Sequence, residues 1–431
     1  MDDWGQMLGG MVQAVRDEAE HIRSRDVGRT WQLYGGCRAR EAGEGLGLYR
    51  FELGGGRPPG PGSQGILRMA GETVPACVAR SGKGWIELTV TNDLGDPSAE
   101  ASLFVRDDIL ISRLLDQLRA RARNIEARSL SHRFASGGPS CEITPRVPPR
   151  PEDTRELNLR QRLAVQVALT QDLCWLWGPP GTGKTSTAAA VARAWVRRGQ
   201  SVLLVAPTNR AVDRLLETVL RDGDLSELVE AGRVLRLGAM DDPQIKKRIG
   251  GQVALGEVVS RLGAPIQYRI RELLAEADAI QVEVGAGAGD GSERKAALLD
   301  EARSLEGRLD HLPRTLVRDA QVIATTVHRA GLGWLGRDFD VAVLDEASMV
   351  PLPWATAAAF SVRKQILAAG DSHQLGPVVR SRSQRAQIWL GRSPMDIGGE
   401  AGDAPSRVML TEQYRMHPVL CTVVSRYSYE G

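Results

Sequence analysis

The sequence predicts an α/β protein, in which a phosphate-binding domain with a parallel sheet follows a small β-barrel on a stalk of two helices. Three observations predict this fold. A GxxxxGK[ST] loop lies between an apolar run and a helical segment. Short apolar runs alternate with helices throughout the C-terminal part of the chain, which is typical of a parallel sheet covered on both faces. Short extended runs separated by Gly, Pro and Asp clusters fill residues 28–106, which indicates a small barrel or sandwich.

Composition narrows the class of protein. The chain has 431 residues, of which 42% are hydrophobic and 25% are charged, as in ordinary globular proteins. A net charge of only +2 excludes a strongly basic body, so any contact with nucleic acid must be local. No apolar run approaches the ~20 residues that span a bilayer. The five cysteines are scattered and none forms a CxxC pair, which argues against a disulfide framework or a zinc site and favours a cytoplasmic location.

The N-terminal region, residues 1–135, is expected to combine the barrel with the two helices that flank it. Apolar residues recur at helical spacing over residues 3–25 and again over residues 111–125. Because these helices bracket the barrel, we expect them to pair as its stalk. The Pro-rich segment 136–153 is predicted to be a linker, and residues 154–431 to be the phosphate-binding domain.

The loop from Gly178 to Thr185 has the residue types that bind the phosphates of a nucleotide. Glycines let the backbone wrap a phosphate, so that successive N–H groups and the N-terminus of the next helix face its charge. Lys184 would reach the β- and γ-phosphates, and the Thr185 hydroxyl would bind magnesium. The predicted nucleotide-binding residues of this loop are Gly178, Pro179, Pro180, Gly181, Thr182, Gly183, Lys184, Thr185 and Ser186.

A pair of carboxylates follows a second apolar run. Asp345 and Glu346 come directly after residues 339–344, and ligands of open α/β sheets bind at such strand ends. Asp345 would hold Mg²⁺ through water, because this ion keeps much of its hydration shell. Glu346 would orient and deprotonate the attacking water. An acidic pair at a strand end is often only the start of a loop, and the phosphate loop is what favours the catalytic interpretation.

Two further segments distinguish this sequence among the many ATPases with a phosphate loop. They are GDSHQLGPV at residues 370–378 and LTEQYRMHP at residues 410–418. Together with DEAS at residues 345–348, they resemble the superfamily 1 helicases of the Upf-like group, which carry GDxxQLxPV and QYRMHP in this order. The resemblance runs from about Leu157 to Gly431. It implies a RecA-like fold for this region, ATP and Mg²⁺ as cofactors, and ATP-dependent helicase activity.

The resemblance also implies roles for four residues around the nucleotide. Gln161 matches the glutamine that reads the adenine edge, and Tyr414 matches the tyrosine that stacks on the base. Gln374 matches the residue that senses the γ-phosphate. Arg415 matches an arginine that neutralises this phosphate, a task suited to a planar and permanently charged guanidinium. Without the resemblance, Gln161 could be a surface glutamine and Tyr414 a packed aromatic residue.

Four short polar residues match segments that touch the nucleic-acid backbone in this family: Thr208, Asn209, Thr325 and Thr326. Hydroxyl and amide side chains at strand ends suit phosphate contacts that fix register without reading sequence. The alternative is that they are ordinary caps of loops. The partner implied is single-stranded DNA or RNA, with the barrel and a helical insertion at about 225–312 framing its path.

The sequence departs from the family where it stops. In the family, the point reached at Gly431 leads into a second RecA-like domain, which carries later motifs and a second arginine finger. We therefore expect this chain to hold the nucleotide-binding half of a motor. The alternatives are a truncated gene, a split gene, or a subunit for which a second chain supplies the missing motor domain.

Three functions are compatible with these observations. The preferred one is an ATP-dependent helicase that hydrolyses ATP as it moves on single-stranded nucleic acid. The second is an ATP-gated nucleic-acid-binding or regulatory module without full motor activity. The third is another P-loop ATPase, such as an AAA-type remodeller, against which the segments at 370–378 and 413–418 argue.

Overall fold

Six antiparallel strands close a barrel in the N-terminal part of the chain, with the strand order β1-β2-β5-β4-β3-β6. The strands are β1 (Gly28–Ala42), β2 (Leu46–Leu53), β3 (Gln64–Met69), β4 (Glu72–Gly82), β5 (Trp85–Val90) and β6 (Glu100–Arg106). Side chains alternate between interior and exterior, so that Ile86, Leu88 and Val90 of β5 all point into the barrel core. The predicted barrel is thus confirmed, and its closure leaves no free sheet edge.

The computed structural model describes residues 3–24, 28–42, 46–56, 58–60, 63–69, 71–90, 100–106, 109–121, 128–143, 148–280, 289–333, 335–398 and 405–429. Residue 25 and residues 122–125 of the two predicted stalk helices lie outside the described residues, as do residues 144–147 of the predicted linker and residues 281–288 of the predicted insertion.

Two helices flank the barrel, α1 (Asp3–Ser24) and α2 (Ile109–Arg121). Most of α1 and α2 forms one compact unit with the barrel and with residues 379–389. The Arg23 guanidinium of α1 donates a hydrogen bond to the Ser112 hydroxyl of α2 over 2.8 Å. The Glu18 carboxylate of α1, which is 5% exposed, accepts hydrogen bonds from the backbone N–H groups of Arg380 and Ser381 at 3.0 and 2.7 Å. The helix is therefore anchored at both sides by polar contacts within this unit.

A parallel sheet of seven strands forms the second unit, in the order β13-β7-β12-β11-β8-β10-β9. The strands are β7 (Leu173–Trp177), β8 (Val202–Ala206), β9 (Val234–Arg236), β10 (Val322–Thr326), β11 (Phe339–Leu344), β12 (Val362–Gly370) and β13 (Arg407–Met409). Nearly every residue of the central strands is buried, as expected for a sheet covered on both faces. The predicted α/β fold is confirmed, although the short edge strand β13 was not predicted.

Fifteen α-helices follow α1 and α2 among the described residues, together with a π-helical turn at Lys246–Gly250 and a 3-10 turn at Ala347–Met349. They are α3 (Arg128–Ser136), α4 (Pro151–Thr154), α5 (Leu159–Thr170), α6 (Lys184–Arg197), α7 (Asn209–Leu220), α8 (Ser226–Glu230), α9 (Pro243–Ile245), α10 (Gly251–Val253), α11 (Leu255–Ala279), α12 (Gly289–Asp319), α13 (Val327–Gly331), α14 (Leu352–Ala359), α15 (Gln384–Leu390), α16 (Pro394–Gly398) and α17 (Pro418–Ser428). The long helices α11 and α12 follow β9 and precede β10 in the chain, and they pack against each other. They provide the predicted helical insertion. In the part of the chain that is described, no helix combines the length and apolar composition needed to cross a bilayer.

The order of the strands decides which loops become neighbours. All seven strands are parallel, so their carboxyl ends lie at one edge of the sheet. Along this edge, the segments after β7, β12, β11, β8 and β10 follow one another in space, although they are far apart in sequence. This edge is where ligands of open α/β sheets bind.

Candidate functional site

The phosphate loop joins β7 to α6 and is shaped by glycines. Gly181 and Gly183 have φ angles of +81° and +86°, a left-handed conformation that residues with a Cβ atom rarely adopt. Space is also limiting, because a Cβ atom at Gly183 would lie 2.5 Å from Nε2 of Gln161. One at Gly178 would lie 2.7 Å from the Thr182 hydroxyl oxygen. The glycines therefore permit a tight turn that presents the N-terminus of α6 to the loop.

Lys184, the first residue of α6, turns its ammonium group back into this loop. Its Nζ atom donates hydrogen bonds to the backbone oxygens of Gly178 and Pro179, at 2.6 and 3.2 Å. Burial lowers the pKa of Lys184, while the negative charges of Asp371, Glu346 and Asp345 act in the opposite direction. The ammonium is thus held within the glycine-lined turn, where a phosphate group would replace the carbonyl oxygens as its acceptor.

The two predicted magnesium ligands lie side by side. The Thr185 hydroxyl donates a hydrogen bond to Oδ2 of Asp345 over 2.9 Å, which joins α6 to the end of β11. Asp345 is 2% exposed, and burial together with the charge of Glu346 raises its pKa to about 6, against the opposing effect of the Thr185 hydrogen bond. A hydroxyl and a carboxylate are the hard oxygen ligands that Mg²⁺ prefers, so this donor set fits the ion.

Glu346 has an unusual backbone conformation. Among the described residues it is the one non-glycine residue with a left-handed φ angle, 53° with ψ at 40°. Its N–H group donates a hydrogen bond to Oδ1 of Asp345 over 3.0 Å. Such a conformation costs on the order of 1–3 kcal/mol and is found mainly at functional sites, where the surrounding structure imposes it. Here it occurs at the second of two consecutive carboxylates that follow β11.

Gln374 and Arg415 reach the same cleft from two other segments. Nε2 of Gln374 donates to Oδ2 of the buried Asp371, which directly follows β12, over 2.5 Å. The segment that carries Arg415 abuts the phosphate loop, because the Tyr414 N–H group donates to the Gly181 oxygen over 2.9 Å. A Cβ atom at Gly181 would lie only 2.6 Å from Cβ of Arg415. The loop glycine therefore also permits this close approach.

Gln161 and Tyr414 belong to one chain of hydrogen bonds. Asn158 caps α5 and forms a reciprocal pair with Gln161, whose Oε1 atom accepts from the Asn158 N–H group over 3.0 Å. Nε2 of Gln161 donates to the backbone oxygen of Thr182 over 3.1 Å. Nδ2 of Asn158 donates to the Tyr414 hydroxyl over 2.7 Å. Gln161 is 5% exposed and Tyr414 is 64% exposed, so the amide is fixed and the ring is open to solvent.

One cleft of about 830 Å³ contains most of the predicted nucleotide site. The structure therefore brings together residues from five separate segments of the sequence. The predicted residues that line the cleft are Gln161, Pro180, Gly181, Thr182, Gly183, Lys184, Thr185, Ser186, Asp345, Glu346, Gln374, Tyr414 and Arg415. Gly178 and Pro179 lie behind it, where their backbone oxygens accept from Lys184.

The four residues predicted to contact nucleic acid lie at the ends of β8 and β10, which are neighbours in the sheet. Thr208 and Thr326 cap α7 and α13, accepting from the N–H groups of Ala211 and Arg329. Thr208 is exposed, and Asn209 and Thr326 are half-buried. The Thr325 side chain is fully buried, and its hydroxyl donates to the Leu237 oxygen over 3.2 Å. Thr208, Asn209 and Thr326 are thus within reach of a ligand, whereas Thr325 supports the loop after β9.

A buried ion pair beneath these residues was not predicted. Nε of Arg236, in β9, donates to Oδ1 of Asp213 in α7 over 2.8 Å, and both side chains are fully buried. The Arg236 guanidinium also donates to Oδ1 of Asn209 over 3.0 Å and to the Ala239 oxygen over 2.8 Å. It thereby fixes the Asn209 side chain at the strand edge. A lone arginine within an apolar run is the one signal of such a pair in the sequence.

The raised pKa of Asp345 leads to a prediction about stability. A proton binds this carboxyl more tightly in the folded than in the unfolded protein, so ionisation of Asp345 lowers the free energy of unfolding as the pH rises from about 4 to above 6. Asp345→Asn removes this charge, and the Thr185 hydroxyl can rotate to accept from the new amide. We expect the variant to gain roughly 2–3 kcal/mol at pH 7.5 without Mg²⁺ or nucleotide, and about half of that at pH 5.

Urea unfolding of wild type and variant at both pH values measures this gain. Asp300→Asn, a change at an exposed carboxylate of α12, is the control and should show no comparable gain. A gain for Asp345→Asn that stays constant between pH 5 and pH 7.5 would trace it to packing rather than charge.

The fold and the site define a class of protein. A parallel sheet with a phosphate loop after one strand, and a carboxylate suited to bind Mg²⁺ after another strand, is the core of a P-loop nucleoside triphosphatase. The profile of the family described as AAA domain matches residues 156–382, which is more than half of the chain. The chain belongs to this family and, within it, to the Upf-like superfamily 1 helicases.

Two sequence relatives agree with this assignment. The chain is 30% identical over 284 residues to the ATP-dependent helicase upf1 of Schizosaccharomyces pombe, covering 64% of this chain and 28% of the relative. It is 31% identical over 306 residues to the DNA-binding protein SMUBP-2 of Mesocricetus auratus, covering 68% and 29%. The chain therefore spans less than a third of the length of these relatives. A solved structure of the arterivirus nonstructural protein 10 helicase is 12% identical, with a TM-score of 0.31 over 94% of this chain and 57% of that chain.

Proposed function

We propose that this chain is the ATP-binding part of an ATP-dependent nucleic-acid helicase, which hydrolyses ATP while it holds a single strand of DNA or RNA. One observation carries the proposal. The cleft with the phosphate loop and the solvent-accessible residues Thr208, Asn209 and Thr326 lie along the same edge of one sheet, at the ends of adjacent strands. The names of the relatives, an ATP-dependent helicase and a DNA-binding protein, support it.

Binding of the triphosphate is assigned to the loop and to α6. The backbone N–H groups at the start of α6 and the Lys184 ammonium would face the β- and γ-phosphates, and their charge-assisted hydrogen bonds are about twice as strong as neutral ones. Thr185 and Asp345 would hold Mg²⁺, which when bound neutralises charge that develops on the phosphates. The carboxyl of Asp345 binds the ion in its ionised form, for which the positive charge of Lys184 provides partial compensation.

Hydrolysis is assigned to three side chains around the terminal phosphate. Glu346 would orient a water molecule and accept its proton as a general base. Gln374 would hydrogen-bond the γ-phosphate, and Arg415 would stabilise negative charge that develops in the transition state. The close approach of Gly181 to the backbone and Cβ atom of Arg415 supports this role.

Contact with the nucleic-acid strand is assigned to the residues at the ends of β8 and β10, on the same edge of the sheet as the cleft. Asn209 is held by Arg236 and donates from Nδ2 to Asp241 over 3.0 Å, so its amide is oriented before a strand binds. Contacts of neutral side chains with phosphates give affinity without sequence preference. β8 and β11 are adjacent in the sheet, and the Thr208 segment follows β8. A movement of Asp345 or Glu346 at the end of β11 would therefore have to cross only the distance between two neighbouring β-strands to reach this segment.

ATP turnover with and without single-stranded DNA or RNA tests the proposal. We expect turnover that the strand stimulates. Strand binding that depends on ATP, without any turnover, would instead support the ATP-gated binding module. ATP turnover that ignores both kinds of strand would support another type of P-loop ATPase, and the helicase proposal would be abandoned.

Asn209→Ala should weaken the binding of single-stranded nucleic acid and leave ATP binding and turnover unchanged. Loss of one oriented hydrogen-bonding group costs about 1 kcal/mol, so we expect roughly fivefold weaker binding of a single strand with turnover in its absence unchanged. Fluorescence anisotropy with a labelled oligonucleotide measures the affinity. Gln166→Ala, on the exposed face of α5, is the control. Equal affinities for Asn209→Ala and wild type would place the strand elsewhere.

A further inference from the structure

A buried carboxylate organises the side of the cleft that carries Gln374. Asp371 is 1% exposed, and four uncharged donors bond its two oxygens. Oδ1 accepts from Nε1 of Trp177 at 3.2 Å and from the His373 N–H group at 3.1 Å. Oδ2 accepts from Nε2 of Gln374 at 2.5 Å and from the Tyr429 hydroxyl at 2.7 Å. The carboxylate is therefore fixed from both sides, and Gln374 shares one of its oxygens with Tyr429.

Tyr429 comes from a distant part of the chain, directly after α17. Its ring lies against His373 and Trp177, with centroid distances of 5.3 and 6.3 Å. Burial and the hydrogen bond to Asp371 raise the pKa of the Tyr429 hydroxyl, so it keeps its proton and donates throughout the physiological range. Tyr429 thus combines a packed ring with a permanent donor to Oδ2 of Asp371.

The position of α17 links two parts of the candidate nucleotide site. The helix begins at Pro418, three residues after Arg415, and ends next to Tyr429. One end of this segment therefore lies at the phosphate loop, and the other is bonded to Asp371 beside Gln374. Gln374 and Tyr429 are the two donors to Oδ2 of Asp371. Without the Tyr429 hydroxyl, Gln374 would remain as the donor to this oxygen, and the carboxylate could turn together with the glutamine side chain.

We propose that Tyr429 is a positioning residue for ATP hydrolysis, whose hydroxyl holds the Asp371 carboxylate and thereby aims the Gln374 side chain at the terminal phosphate. This inference rests on the proposed ATPase function. Among the described residues, the side chain of Tyr429 contacts Asp371, His373 and Trp177 rather than the phosphate loop or Asp345, so it acts through Asp371 and Gln374. It therefore affects the terminal phosphate and leaves the rest of the nucleotide alone.

Tyr429→Phe tests this inference, because it removes the hydroxyl and keeps the ring that packs on His373 and Trp177. We expect kcat for ATP to fall about tenfold with KM changed less than twofold. Binding of ADP with aluminium fluoride, which imitates the phosphate in transfer, should weaken by a similar factor while binding of ADP alone stays constant. Tyr427→Phe, two residues earlier in α17 and 87% exposed, is the matched control and should equal wild type.

A second comparison separates positioning from a general loss of structure. If Tyr429 acts through Gln374, the double variant Tyr429→Phe/Gln374→Ala should be no slower than Gln374→Ala alone. Additive losses, a wild-type kcat in Tyr429→Phe, or an equal loss of affinity for ADP alone would each overturn the inference. Failure of the proposed function is distinguished by wild type itself, which would then show neither turnover nor tighter binding of ADP with aluminium fluoride than of ADP.

Discussion

Lys184→Ala is expected to slow ATP turnover strongly and to weaken nucleotide binding about 10- to 100-fold, since hydrogen bonds to charged groups contribute roughly 1.5–3 kcal/mol. The ammonium of Lys184 is the cation held inside the loop, where it already bonds to two backbone oxygens. Its loss leaves the backbone N–H groups at the N-terminus of α6 as the remaining phosphate-binding groups of the loop. Turnover should fall further than affinity, by about 10²–10³, because charge on the phosphates grows in the transition state.

Calorimetric titration with ATP and a phosphate-release assay measure the two effects of Lys184→Ala separately. Lys364→Ala is a suitable control, since that lysine is half-exposed on β12 and pairs with Asp340 over 2.8 Å, away from the cleft. An unchanged ATP affinity in Lys184→Ala would mean that the nucleotide binds somewhere other than the phosphate loop.

Glu346→Gln, in contrast to Lys184→Ala, should leave ATP binding unchanged and reduce hydrolysis about 10²- to 10⁴-fold. The amide has nearly the shape of the carboxylate but cannot accept a proton from water. Lys184, Thr185 and Asp345 are untouched, so the triphosphate and its magnesium site remain. Single-turnover kinetics with saturating ATP isolate the chemical step from binding and release.

The left-handed backbone at Glu346 makes a folding control necessary. The melting temperature of Glu346→Gln should match that of Glu272→Gln, a change at a half-exposed carboxylate of α11. Weakened ATP binding in Glu346→Gln, with hydrolysis falling only in proportion, would show that Glu346 maintains the loop after β11 and does not activate water.

Local pattern was sufficient to predict most of the fold. The alternation in β4 and β5 and the continuous apolar runs of β7, β8 and β11 are direct consequences of one-sided and two-sided burial. Contacts between distant segments have no such signal. The pairing of Glu18 with the N–H groups of Arg380 and Ser381 joins residues more than 360 positions apart, and the three-residue strand β13 is too short to show a period.

The candidate site was predictable to the extent that motifs carry it. Lys184, Thr185, Asp345 and Glu346 follow from residue types at strand ends, and the structure places them in one cleft. The roles given to them remain proposals. The supporting residues could not be predicted, because Asp371 and Tyr429 show their relation only when β12 and α17 are brought together. The ion pair of the buried Arg236 could not be predicted either, because its partner Asp213 lies in another element.

The hydrogen bonds of Gln161 have a consequence for the choice of purine. Its amide cannot flip, because Nε2 would then face the Asn158 N–H group and Oε1 would face the Thr182 oxygen, donor against donor and acceptor against acceptor. An amide oxygen can accept two hydrogen bonds and an amide nitrogen can donate two, so each atom has capacity for one more. An acceptor and a donor in this fixed order match the amino group and N7 of adenine, whereas guanine offers two acceptors there. Discrimination of ATP from GTP would thus be built into the cap of α5 before any nucleotide enters.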